Sequence, residues 1–204
     1  MLSSSRFKTP VQRAADPIAR LLLRARVRPN HLTVAGLGVS CLAAWAFADG
    51  FLRTGAALLT VAGLFDLFDG SLARLAGQDT DFGAFLDSVV DRYSDLVVLL
   101  GLVVYCQRIG EWTLCLFTMA TVIGTVMVSY TKARAQSIGL ACEIGLMERP
   151  ERLIVLIAGL TFNLLTAALV VLAILAVLTH ITALQRIFYT RRVARNMERT
   201  DTLR

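Results

Sequence analysis

Charge is scarce in this sequence: only 18% of its 204 residues are Asp, Glu, Lys or Arg, against 56% hydrophobic. That balance lies outside the range of ordinary soluble domains and points to the membrane class. Cysteine is nearly as sparse. Cys41, Cys106, Cys115 and Cys142 sit in or beside apolar stretches with no C-x-x-C spacing, so they suggest neither a zinc site nor a disulfide framework and read as small packing residues. There are two histidines and no Glu-x-x-His pair, which argues against a ferritin-like metal bundle. His31 is expected at an interface and His180 as a packed or solvated polar group. The first thirty residues lack a continuous apolar run, so no cleaved leader is expected. The net charge of +6 is not accompanied by an aromatic platform or a nucleic-acid-binding motif. Anionic lipid headgroups, not nucleic acid, are the expected partners.

What the chain does have is a succession of apolar stretches, each about the 20 residues needed to cross a hydrocarbon core. The expected spans are 31–48, 54–76, 82–106, 112–137, 150–162 and 164–188. The fold class is therefore an all-α integral membrane bundle of six helices. Residues 11–27 set Ile18, Leu21, Leu22 and Leu23 against Arg13, Arg20, Arg24 and Arg26, the pattern of an amphipathic juxtamembrane helix in the headgroup plane. This divides the chain into a juxtamembrane segment (1–30), a six-helix domain (31–190) and a basic tail (191–204). Seven Lys or Arg precede His31, and Arg74, Lys132, Arg134, Arg149 and Arg152 flank the even-numbered connections. Six more lie from Arg186 onward, and the opposite side offers Arg53 and Arg108. The positive-inside rule then puts both termini and the even-numbered loops in the cytoplasm.

Gly63, Gly70 and Gly77 recur every seven residues along the second span. Small residues on one face let helices approach closely in lipid, which accounts for Gly63 and Gly77. Gly70, beside a carboxylate, is also positioned to admit a ligand to the backbone.

Segment 66–91, DLFDGSLARLAGQDTDFGAFLDSVVD, places Asp66, Asp69, Asp87 and Asp91 in or at the mouth of otherwise apolar helices. An Asp at the centre of a spanning helix costs roughly 2.5 to 3.5 kcal/mol. Four without partners would cost about 10 to 14 kcal/mol, so the cluster requires a purpose. Spacings of three and four residues keep each pair on one helical face. A turn around 77–80 sets the two pairs opposite one another. Oxygen-only ligands select Mg²⁺ or Mn²⁺ over zinc, and two such ions suit phosphoryl chemistry. Asp91, nearer the middle of its helix, is the candidate base for an acceptor hydroxyl. Arg74 is placed to meet a diphosphate oxygen or a carboxylate, and Asp95 to orient Arg92 or another neighbour.

The order Asp66-xx-Asp69-Gly70-xx-Ala73-Arg74, eight residues, then Gly83-xxx-Asp87-xxx-Asp91 resembles the signature of the CDP-alcohol phosphatidyltransferases at all eight specified positions. The resemblance implies a six-span homodimer whose four aspartates bind two divalent metals, with the last also acting as base and CMP leaving. Pro29-Asn30-His31-Leu32-Thr33 is similar to the start of the family's first span, where the Asn and Thr positions help hold the CDP moiety together with the Asp69, Gly70, Ala73, Arg74 and Gly83 positions. Helix capping by Asn30 or Thr33 is the alternative. SYTKARAQSIGL and GLMERPER resemble the phosphatidylinositol-phosphate synthase branch. For this branch the implied donor is CDP-diacylglycerol, and the acceptor is a phosphorylated polyol such as inositol 1-phosphate. Lys132, Arg152 and Arg186 would form the acceptor-phosphate pocket by charge-assisted hydrogen bonds, the alternative being ordinary positive-inside flanking. Arg134 and Arg149 are weaker candidates for the same pocket, and a simple pair of Arg149 with Glu148 is the alternative for the latter. Glycerol 3-phosphate and serine are the other acceptors, and an ether lipid is another donor. A divalent-cation transporter is the reading from a different class. It predicts carboxylates spread through several spans, whereas here they occupy two neighbouring ones.

Overall fold

The computed structural model describes residues 17–25, 27–77 and 80–201, without the side chains of 198–201. The described residues form helices, joined by short connections except for the longer 138–148 segment, with no strand among them. Helix α1 covers 17–24, followed by α2 (Pro29–Ala48), α3 (Leu52–Ala76), α4 (Asp81–Ile109), α5 (Trp112–Ser137), α6 (Arg149–Thr161) and α7 (Leu165–Asp201). Of the expected juxtamembrane helix, 17–24 is helical and 11–16 and Arg26 lie outside the described residues. Ala19 and Leu22 of α1 pack with Leu32, Phe65 and Leu72, while Ile18, Leu21 and Leu23 are exposed.

Four helices, α2, α3, α5 and α7, are long and apolar enough to cross a membrane. Helix α4 has the length, but Asp87, Asp91, Arg92 and Asp95 crowd its first half. Helix α6, with 13 residues, is about 20 Å long at 1.5 Å per residue.

One difference from expectation concerns α7. Helicity does not stop at 188 or at the 190/191 boundary but runs on to Asp201. The loss of hydropathy after Phe188 marks where the apolar surface ends, not where the helix ends, because no Gly or Pro interrupts Leu165–Asp201.

Helix α2 packs on α3 and α4, α5 on α4 and α7, and α6 bridges α3 and α7. At one end Phe47, Leu52, Leu102, Leu114, Leu160 and Leu172 form a buried apolar core. At the other, the start of α2, the end of α3 and the starts of α4 and α6 bring the polar residues together. The helices therefore alternate in direction. Close approach depends on glycine. A Cβ at Gly101 would run into the backbone of Ala44, and one at Gly124 into the Thr179 side chain, contacts that let α4 lie on α2 and α5 on α7. Gly63 meets Leu153 of α6 in the same way. Gly77 does not pack. It ends α3 in the left-handed region at φ 59° with open space around it, a helix C-cap that favours glycine.

Arg53 and Arg108 stay at the core end, as their separation from the other basic residues implies. Arg108 Nη1 meets Asp49 Oδ1 at 2.5 Å, and Arg53 Nε donates to the Thr161 carbonyl at 3.3 Å. Trp45, Leu100, Trp112, Leu116 and Ile154 are exposed on the outside of the bundle, an apolar surface suited to lipid and too large for a monomer in water. Of the cysteines, Cys106 and Cys142 are buried as expected, whereas Cys41 is exposed.

Candidate active site

Helix α3 carries Asp66 and Asp69 one turn apart, then closes at Gly77. Thr80 opens α4, accepting the Gly83 N–H at 3.0 Å as an N-cap. From that cap, Asp87 and Asp91 fall on the face toward α3. Asp66, Asp69 and Asp87 each offer a carboxylate oxygen within 4.8 Å of the others. Asp69 is buried, and Asp87 Oδ1 is buried without a hydrogen-bond partner. An orphaned carboxylate oxygen facing two other carboxylates is costly unless a cation completes it. The donor set is oxygen only, so Mg²⁺ or Mn²⁺ fits it.

Thr33, on the first turns of α2, donates its hydroxyl to Asp69 Oδ2 at 2.7 Å and approaches the Pro29 carbonyl at 3.3 Å. Neither Thr33 nor Asn30 caps α2. The N-cap is Arg28, without a side-chain bond. Asn30 lies at the corner made by Thr80 and Gly83: a Cβ on Gly83 would stand 3.7 Å from Asn30 Oδ1 and 3.0 Å from Thr80 Oγ1. Beside Gly70 the backbone is open except for Arg74, whose Nη1 would lie 3.9 Å from a Cβ there and whose Nη2 donates to Ser71 Oγ at 3.0 Å. Ala73 is half-buried on the same turn.

The fourth aspartate stands apart from the other three. Asp91 Oδ1 meets Arg149 Nη1 at 2.8 Å, and the same nitrogen lies 2.8 Å from Asp66 Oδ2. Arg149 Nε is 3.5 Å from Asp95 Oδ1. Asp95 Oδ2 in turn accepts from Arg152 Nη2 at 2.6 Å. The alternative Arg149–Glu148 pair is not formed: Glu148 is the extended N-cap of α6 (φ −74°, ψ 177°), and its carboxylate is directed elsewhere. Glu148 instead lies 3.6 Å from Arg186 Nη2. Asp95 orients Arg152 and Arg149, while Arg92 turns back to Ser88.

Among the acceptor-pocket candidates, Arg152 is buried, with Nη1 also donating to the Met147 carbonyl at 3.3 Å. Arg186 donates from Nε to the Ile144 carbonyl (2.7 Å) and from Nη1 to the Val128 carbonyl (2.6 Å), tying α7 to α5 and to the 138–148 connection, while its Nη2 faces Glu148. Lys132 is half-buried on α5. Arg149 is the residue of this cluster that sequence reasoning underweighted. The available signal was its place one turn before Arg152 at the start of a helix, facing a carboxylate cluster that needed cations. His31 is exposed, and His180 Nδ1 lies 2.8 Å from the Ala176 carbonyl, a local bond on its own helix.

Residues 26–190 match the family model described as CDP-alcohol phosphatidyltransferase. The chain belongs to the CDP-alcohol phosphatidyltransferase family. It is an enzyme of phospholipid synthesis that uses Mg²⁺ or Mn²⁺. The chain is 38% identical over 192 residues to the archaetidylinositol phosphate synthase of Methanothermobacter thermautotrophicus, covering 91% of this chain and 92% of that protein. It is 40% identical over 150 residues to the phosphatidylinositol phosphate synthase of Mycobacteroides abscessus, covering 72% and 68%. The structure of the Mycobacterium tuberculosis phosphatidylinositol phosphate synthase with CDP-DAG bound superposes with a TM-score of 0.82 at 36% identity, covering 87% of this chain and 94% of that one. The same enzyme in complex with manganese and citrate gives a TM-score of 0.80 at 36% identity, covering 86% and 88%.

Proposed function

We propose that this phosphatidyltransferase moves the phosphatidyl group of CDP-diacylglycerol to inositol 1-phosphate, giving phosphatidylinositol phosphate and releasing CMP. The observation that carries the reading is the juxtaposition of an oxygen-only carboxylate cluster with two arginines, Arg152 buried and Arg149 half-buried. Asp66, Asp69 and Asp87 converge within 4.8 Å, and Arg149 and Arg152 adjoin them through Asp95. A neutral acceptor would have no use for guanidinium groups drawn in from solvent, whereas an acceptor phosphate is held by them through charge-assisted hydrogen bonds. The names of the relatives support the same acceptor.

In this reading Asp66, Asp69, Asp87 and Asp91 hold two divalent ions, which neutralise charge on the diphosphate when bound. Thr33 fixes the rotamer of Asp69. Asn30, Gly83, Gly70, Ala73 and Arg74 line the approach of the CDP moiety, with Arg74 toward a diphosphate oxygen. Asp91 accepts the proton of the attacking hydroxyl, and Lys132, Arg152 and Arg186 hold the acceptor's phosphate. The hydroxyl oxygen forms the new bond to phosphorus as the bond to CMP breaks.

All six helices α2–α7 cross the membrane, α1 lies in the headgroup plane as an amphipathic anchor, and the protein works as a homodimer. The basic residues at the aspartate end support a cytoplasmic location for that end, both termini and the active site of a cell-membrane enzyme. The lipid enters sideways between spans. Purified protein with CDP-diacylglycerol and Mn²⁺ or Mg²⁺ should release CMP with inositol 1-phosphate in preference to glycerol 3-phosphate or serine. A preference for either of the latter overturns the acceptor assignment. CDP-archaeol is the parallel donor to try, since one relative is named for an archaetidyl product.

A further inference from the structure

Arg149 occupies a position that the reaction chemistry does not require of a structural cation. Its Nη1 is 2.8 Å from Asp66 Oδ2 and 2.8 Å from Asp91 Oδ1, so one N–H-bearing nitrogen bridges the two carboxylates from opposite helices. Asp91 is the member of the signature left outside the converging trio of Asp66, Asp69 and Asp87. The guanidinium thus fills the place between Asp66 and Asp91 where a cation shared by those two side chains would sit. It is not fully committed there. Arg149 Nε is buried without a hydrogen-bond partner, and its nearest carboxylate, Asp95 Oδ1, is 3.5 Å away. Asp95 also holds Arg152 at 2.6 Å, so the alternative resting place of the Arg149 head group lies on the acceptor side.

We infer that Arg149 is a built-in counter-ion that occupies the second metal position between Asp66 and Asp91. It withdraws toward Asp95 and Arg152 when the second ion binds, coupling metal loading to capture of an acceptor phosphate. This rests on the reading of the four aspartates as a metal site. Charge accounting supports the exchange. The four carboxylates carry four negative charges, which one divalent ion and Arg149 leave one short of neutrality. Two divalent ions neutralise them completely and release Arg149 as a surplus cation. A dianionic phosphate beside Arg152 is the group that such a cation would meet, in the bidentate geometry that arginine favours. By linkage, whatever stabilises the withdrawn arginine tightens the second ion, and the second ion tightens the phosphate by the same factor.

The test is a Mn²⁺ binding isotherm on the purified full chain in detergent without lipid substrate. Free Mn²⁺ is held by a metal buffer, with and without inorganic phosphate. Wild type should bind one ion tightly and a second about tenfold or more weakly, with phosphate closing that gap by about tenfold, a coupling of typical size. Arg149→Gln should bind both ions with similar affinity and be insensitive to phosphate. Arg149→Lys, which keeps the charge but lacks the planar fork that binds a phosphate bidentately, should fall between. An unequal pair of sites persisting in Arg149→Gln, or a wild-type second site that phosphate does not move, overturns the proposal. Folded wild type that binds no Mn²⁺ overturns the metal reading itself. Should Arg149→Gln fail to fold, the phosphate arm on wild type decides alone.

Discussion

Thr33→Val changes a hydroxyl to a methyl at nearly constant volume and removes one interaction. Thr33 Oγ1 donates to Asp69 Oδ2 at 2.7 Å, and both residues are buried, at 8% and 5% exposure. A hydrogen bond to a charged group contributes about 1.5 to 3 kcal/mol. Losing a partner that orients a metal-ligating side chain typically lowers metal affinity or activity by about 10- to 100-fold. The two figures agree, since about 1.4 kcal/mol corresponds to a factor of ten. The valine variant should therefore shift the midpoint of Mn²⁺ activation upward by about one to two orders of magnitude, with helix content unchanged because Thr33 caps nothing. Thr33→Ser, which retains the donor, should stay within a few-fold of wild type. CMP release measured across a Mn²⁺ titration reads both variants. A valine variant with the wild-type midpoint would refute the reasoning, as would a serine variant as impaired as valine.

Asp95→Asn leaves the buried Arg152 cation without its carboxylate, a loss of about 3 to 5 kcal/mol that thermal unfolding should register. Its acceptor KM should rise while the CDP-lipid KM holds, and adding Arg152→Gln should recover part of the stability and none of the acceptor affinity. Gly101→Ala forces a methyl against the Ala44 backbone and should cost about 1 to 3 kcal/mol in denaturant or heat. Gly38→Ala, with nothing within 4 Å, should be neutral or gain up to about 1 kcal/mol from helix propensity. Chelation by EDTA should abolish CMP release, with Mg²⁺ or Mn²⁺ restoring it. At 100-fold its dissociation constant the ion should raise stability by about 2.7 kcal/mol, seen as a higher unfolding temperature that Asp87→Asn does not share.

The helices were legible because the apolar stretches are long and their ends are marked. The fourth span, expected at 112–137, is Trp112–Ser137, where Gly110 ends α4 and the next helix starts two residues later. The aspartate trio was equally visible, since three- and four-residue spacings around a glycine-closed turn leave few other arrangements. The extension of α7 was not, because hydropathy falls at the membrane boundary while helix propensity continues through the arginines. Nor was the partner set of Arg149. A long side chain at a helix start reaches carboxylates on α3 and α4 that are remote in sequence, and only the packing of α6 against α3 decides between Glu148 and Asp66. The cap reading of Asn30 and Thr33 failed for a related reason: the acceptor that Thr33 serves is 36 residues away.

Product identity tests the central claim most directly. Wild type and Asp87→Asn protein would be incubated with CDP-diacylglycerol, Mn²⁺ and inositol 1-phosphate, and the lipid extract analysed by mass spectrometry alongside CMP release. The account predicts phosphatidylinositol phosphate in amounts equal to the CMP formed by wild type, and neither product from the Asp87→Asn protein. Wild-type CMP release without that lipid, or full turnover by Asp87→Asn, would contradict it.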